Sequence, residues 1–154
     1  MKKQLLLLFA FSALALTSCE DDDIQGYEMD MMKGDWKTSK IEVISGKDDK
    51  TVISTDTPIG CSAKNITYFS TDYSTSYTYF TGVGADCQLN GKSEGTYTYD
   101  TETKDLTINY VNDSSRPYKV VVLTSSEMRV KQMFDNIDQN GDLIIDYTYI
   151  TYKR

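Results

Sequence analysis

From Gly34 onward the chain alternates in period two. Short runs of Tyr, Thr, Val and Ile are separated by clusters of Gly, Asp, Asn and Ser, with no long apolar stripe at helical spacing. Successive side chains on a strand point to opposite faces, so this pattern specifies half-buried strands and excludes a helical bundle. Twelve Tyr and only two Pro agree, since Tyr packs well on pleated surfaces and Pro cannot donate to a ladder. Eight strands are expected: Trp36 to Ser45, Asn65 to Phe69, Ser76 to Thr81, Gly95 to Asp100, Leu106 to Val111, Tyr118 to Leu123, Met128 to Phe134 and Leu143 to Tyr152. The later connections are short, so sequence neighbours should pair antiparallel. Gly46 to Lys64 is the one long stretch without strong alternation, with room for a short strand at Thr51 to Ser54. An open meander would expose two edges, whereas closure into an up-and-down barrel satisfies every ladder bond. The expected fold is therefore all-β, an eight-stranded antiparallel barrel over residues 34–154. At 154 residues and 40% hydrophobic content there is material for one such domain and not two.

Ahead of the barrel lies a different kind of sequence. Lys2 and Lys3 precede an apolar run from Leu5 to Leu16 broken only by Ser12, the pattern of a secretory signal over residues 1–18. The run is shorter than the roughly 20 apolar residues that a membrane-crossing helix needs. It ends in Leu16-Thr17-Ser18-Cys19, which resembles the lipobox of bacterial lipoproteins. That resemblance implies cleavage before Cys19 and acylation of Cys19, a stable anchor because several chains act together. The following Glu20-Asp21-Asp22-Asp23 is similar to the acidic export signal of surface lipoproteins of the Bacteroides group, which implies an outer-membrane, cell-surface location. An acidic run does not fold alone, so residues 19–33 are expected to be a flexible tether.

Charge and residue inventory exclude several functions. The formal charge is −7, and losing Lys2 and Lys3 with the leader leaves 14 basic against 23 acidic residues, or −9. Such a surface repels phosphate backbones, so no nucleic-acid partner is expected. The chain has no histidine, which removes Ser-His-Asp and Cys-His catalysis and every His-ligated metal site. Asp100, Glu102 and Asp105 share one apparent turn, as do Asp48 and Asp49, and such clusters are ordinarily solvated loops; no enzyme and no cofactor is expected. With Cys19 lipidated, Cys61 and Cys87 remain, and an exported pair most simply forms a disulfide worth about 3–4 kcal/mol by loop closure. Asn65-Ile66-Thr67 and Asn112-Asp113-Ser114 fit the glycosylation pattern, although a bacterial lipoprotein is not ordinarily modified there.

Gly34-Asp35-Trp36 has the Gly-x-Trp form that opens the first strand of lipocalins. The order lipobox, acidic tether, Gly-x-Trp, Cys61, Tyr68-Phe69, Cys87, Gly95-Thr96-Tyr97, Leu106-Thr107-Ile108, Leu123-Thr124 and Tyr152-Lys153-Arg154 resembles the lipocalin-like lipoproteins of the Bacteroides group across essentially the whole chain. The resemblance implies a barrel floored by Trp36, with Lys153 or Arg154 stacked over the indole as a cation–π partner. Two departures stand out. No residues follow the last expected strand for the helix that packs beside lipocalin barrels, and Thr71-Asp72-Tyr73, which looks like the second lipocalin motif, comes too early and is a chance match.

Two further constellations bear on function. Asp138, Asn140 and Asp142 alternate around Gly141 as in a calcium loop, but the first and last template positions hold Asn136 and Tyr147, so a polar hairpin turn is expected and no metal. Tyr77 with Tyr79, Tyr97 with Tyr99 and Tyr147 with Tyr149 are pairs two residues apart, each on one strand face. They form either a stacking surface for a ligand or cross-strand packing with hydroxyls reaching water. The expected function is a monomeric, lipid-anchored barrel that binds a small apolar or amphipathic ligand. The alternative is a non-catalytic envelope interaction module with a filled barrel that binds a glycan or a protein.

Overall fold

The computed structural model describes residues 21–154 apart from Ala85. The proposed signal peptide, Cys19 and Glu20 lie outside the described residues. The chain forms helix α1 (Asp21–Met32), strand β1 (Gly34–Ile44), β2 (Val52–Asp56), a single 3-10 turn (Ser62–Lys64), β3 (Ile66–Phe69), β4 (Ser74–Val83), β5 (Asp86–Tyr99), β6 (Asp105–Tyr110), β7 (Arg116–Leu123), β8 (Glu127–Gln132) and β9 (Tyr147–Lys153).

Strands β3 to β9 pair in sequence order, and β1 pairs antiparallel with both β3 and β9. Eight strands therefore close an antiparallel barrel, as the alternation implied. The ninth, β2, stands outside the ring. Along β1, β3 pairs only with Gly34 to Trp36, and β2 takes up the same edge of β1 further along, at Ile41 to Ile44. A bulge between Thr38 and Lys40 resets the inside–outside alternation of β1. Trp36, Thr38 and Ile41 face the interior, while Ser39, Lys40 and Glu42 lie on the outer face.

Three expectations are corrected. Residues 19–33 were expected to be a tether, yet from Asp21 the chain is helical. Tertiary contacts supply what local propensity does not: Met29 and Met32, on one helix face, are buried in the barrel core, Met32 with 0% exposure. Glu28 accepts hydrogen bonds from Lys104 Nζ at 2.6 Å and from the Tyr99 hydroxyl at 2.6 Å. The last strand begins at Tyr147 and not at Leu143. Leu143 has φ 69°, which no strand accommodates, and Leu143, Ile144 and Ile145 are exposed. Asp138 organises this loop by accepting from the amides of Gly141 (2.7 Å) and Leu143 (2.8 Å). Buried Asp146 accepts from the amides of Gln139 (2.7 Å) and, across the barrel end, Gly46 (3.2 Å). Lastly, β4 and β5 run well beyond their expected limits. Their outer portions are wet on both faces, so no alternation marks them in the sequence.

The closed end of the barrel holds α1, the β3–β4, β5–β6 and β7–β8 turns and the C-terminus. There Trp36, Phe69, Tyr97, Leu106, Met128 and Val130 are almost wholly buried and fill the interior. The Cys61–Cys87 disulfide sits at the other end, with a Cα–Cα distance of 5.3 Å, and ties the long excursion before β3 to the β4–β5 hairpin. The packing of α1 predicts that Met32→Ala lowers stability by about 2–4 kcal/mol. Urea unfolding measures this, and a loss below about 0.5 kcal/mol would show that the helix does not complete the core.

Candidate functional site

The floor is built from three residues far apart in sequence. Trp36 is fully buried, and its indole N–H donates to the carbonyl of Met32 at 2.7 Å. Arg154 places its guanidinium 4.1 Å from the indole centroid. The same group donates to the carbonyls of Met31 (2.6 Å), Lys33 and Ser125 (3.1 Å). The last carbonyls of a helix have no partner within it, and here Trp36 and Arg154 supply partners for three successive ones. Gly34 makes the turn from helix to strand at φ 115°, a conformation disfavoured for other residues. Of the two expected cations, Arg154 therefore stacks on Trp36, whereas Lys153 faces Glu127 at 3.6 Å on the surface.

Above the packed floor the interior opens into a cavity of about 410 Å³. β1 contributes Thr38 and Ile41, β3 Thr67, β4 Tyr77, β6 Ile108 and Tyr110, β7 Arg116 and Tyr118, and β9 Ile150 and Tyr152. Gln132, at the end of β8, and Phe134 close the remaining side, Phe134 edge-on to Tyr118 with centroids 5.4 Å apart. A second recess of about 380 Å³ shares Tyr77, Tyr110 and Arg116 with the first and continues outward past Asn65, Tyr79, Phe80, Ser93 and Asp113. Arg116 sits where the two meet, 5.4 Å from the Tyr110 centroid and ion-paired to Asp113.

The lining is apolar and aromatic with hydroxyls spaced through it. Burial pushes the Tyr110 phenol up to about 12 and raises those of Tyr118 and Tyr152. All three stay neutral at ordinary pH, able to donate and accept hydrogen bonds. Asn65 Nδ2 donates to the Tyr77 hydroxyl at 2.8 Å, and Asn65 Oδ1 accepts from the Phe80 amide at 2.9 Å, which fixes one wall. The open end is rimmed by exposed apolar side chains, among them Val83, Val111, Ile137 and Leu143.

The six tyrosines singled out in the sequence do not form one surface. Tyr77 lines the cavity and stacks on Tyr79 at 6.1 Å between centroids, and Tyr79 lies over Gly91 of the neighbouring strand. Tyr97 and Tyr99 are buried toward the floor, the Tyr97 hydroxyl donating to Ser70 O at 2.7 Å. Tyr147 and Tyr149 lie on the outer face, where the Lys131 ammonium is 3.6 Å from the Tyr147 centroid and the Tyr149 hydroxyl donates to Asp49 at 2.8 Å. Asp138, Asn140 and Asp142 accept from backbone amides of their own loop. Among the described residues no group of three or more acidic or thiol side chains is placed to hold a metal ion. Likewise, no helix among them is long and apolar enough to cross a membrane. Tyr110, Arg116, Tyr118 and Tyr152 were not expected from the sequence to line a ligand site. The inward parity of Arg116, Tyr118 and Val120 on β7 was the available signal.

A closed eight-stranded antiparallel barrel with a packed floor and an aromatic cavity above it defines the class of this protein. The model of the lipocalin-like domain family matches residues 32–130, and the chain belongs to that family. No curated protein matches it. Among solved structures it is similar to the bovine lipocalin allergen Bos d 2, with 12% identity over 82% of this chain and 74% of that one and a TM-score of 0.41. A deswapped triple mutant of bovine odorant binding protein gives 12%, 80%, 74% and 0.40 in the same order. Aphrodisin, a sex pheromone from female hamster, gives 11%, 80%, 74% and 0.38.

The two basic residues at the C-terminus separate cleanly. Arg154→Ala should cost about 1–3 kcal/mol, since it strips charged donors from helix-end carbonyls and removes the indole contact. Lys153→Ala should cost less than about 0.5 kcal/mol because it removes only an exposed pair. Thermal denaturation of both variants side by side tests the assignment; equal losses would contradict it.

Proposed function

We propose that this protein is a non-catalytic carrier that holds a small apolar or amphipathic ligand in the barrel cavity. The observation that supports this reading is the cavity itself, about 410 Å³ and lined by eight aromatic or aliphatic side chains against one charged one, within the size range of small-molecule sites. An apolar rim at the open end suits entry of such a ligand. The alternative, an interaction module, rests on an interior filled with side chains, and the open upper barrel favours the carrier. Native mass spectrometry after exposure to an envelope lipid extract should reveal a discrete adduct of a few hundred daltons. Ile150→Trp, which places an indole in the cavity, should abolish it; repeated recovery of bare wild-type protein would reject the carrier.

The carrier is further proposed to be a lipoprotein anchored through Cys19 in the outer membrane and facing the cell surface. The lipobox and acidic run support this. Labelled palmitate should enter the wild-type protein and not Cys19→Ser, and surface protease should digest the intact-cell form; labelling that survives the substitution would exclude acylation at Cys19.

A further inference from the structure

We infer that the cavity selects a carboxylate: the ligand is an amphiphilic acid whose apolar body occupies the tyrosine-lined interior and whose carboxylate is bound by Arg116. The inference rests on the carrier reading and names the chemistry of that same site. Its first support is that, among the described residues, Arg116 is the sole charged residue lining the inner cavity. In a chain of formal charge −7, a lone cation facing an otherwise uncharged, mostly apolar chamber marks where an anionic end belongs. The second is position. Arg116 lies at the junction of the inner cavity and the outer recess, so a headgroup held there leaves the body to fill the inner chamber.

The third support is donor capacity. A guanidinium carries five N–H donors, and the structure engages one nitrogen, Nη2, in a hydrogen bond to Asp113. The remaining donors suit a planar carboxylate, which accepts from the fork at two points. Tyr110 and Tyr118, neutral because burial raises both phenols, flank the cation and offer further hydroxyls. Asp113 is half-exposed and shares the outer recess with Arg116, so a bound carboxylate must share the cation with it or displace it. That competition also disfavours a phosphate dianion, whose second charge would face Asp113 with no second cation among the described residues of the lining.

The test uses calorimetric titration of the purified, delipidated protein with decanoate and with 1-decanol, which share a body and differ in headgroup. Wild type should bind decanoate at least about tenfold more tightly than decanol. Arg116→Met should weaken decanoate by about 10- to 100-fold, the worth of a charge-assisted hydrogen bond, and leave decanol within about twofold. Asp113→Asn, on the surface and harmless to folding, should tighten decanoate and leave decanol unchanged. If wild type binds both ligands equally and neither variant discriminates them, the headgroup assignment fails while the carrier reading stands. If wild type binds neither ligand, both fail. Inorganic phosphate competing with decanoate at equal concentration would overturn the choice of carboxylate.

Discussion

The contact on which the rest of the barrel depends is the meeting of Trp36, Arg154 and the end of α1. Each of the three solves a problem of the other two. The helix ends with carbonyls that have no internal partner, the indole has an N–H that is costly to bury alone, and Arg154 carries a charge beside an apolar core. Trp36 donates to Met32, Arg154 donates to Met31 and Lys33, and the guanidinium lies on the indole face. The first and last strands of the ring are thereby joined by side chains as well as by their ladder, and the floor is sealed from below by Met32. A chamber above can stay open only because this floor is packed and its polar groups are satisfied.

Above the floor, the distribution of aromatic residues determines what the barrel can do. Tyr97 and Phe69 meet edge to face at 5.0 Å and consume the lower interior. Tyr77, Tyr110, Tyr118 and Tyr152 stand around the upper one without filling it. An eight-stranded ring is just wide enough for either outcome, so the arrangement of side chains, and not strand number, sets the difference between a core and a site. The disulfide and Asp146 act at this upper end, tying long connections to the wall and to each other. Rigidity at the rim matters to a cavity, because a site that collapses when empty loses affinity to reorganisation.

Much of the barrel was legible because a half-buried strand imprints its burial on the sequence as alternation. Strands β6, β7 and β8, each with one wet and one dry face, fall within a residue or two of their expected limits. Where that condition fails, so does the reading. The outer β4–β5 hairpin is wet on both faces and carries no pattern, and Leu143-Ile144-Ile145 mimics a strand while lying exposed in a loop held by Asp138 and Asp146. The bulge in β1 between Thr38 and Lys40 swaps inside for outside halfway along the strand, which no fixed period of two anticipates.

The sequence by itself determined the strand-rich class, the closure implied by a meander of eight and the pairing of Cys61 with Cys87, while the burial of Trp36 beside a C-terminal cation came from its resemblance to lipocalins. The first three follow from local rules: pleat alternation, turn chemistry and residue inventory. Only the tertiary structure decided that α1 folds onto the barrel, that Arg154 and not Lys153 stacks on Trp36, and that Tyr77 faces a chamber while Tyr149 faces the outside. Those outcomes depend on contacts between residues up to 123 positions apart, such as Arg154 with Met31, whose energies exist only once the ring has closed.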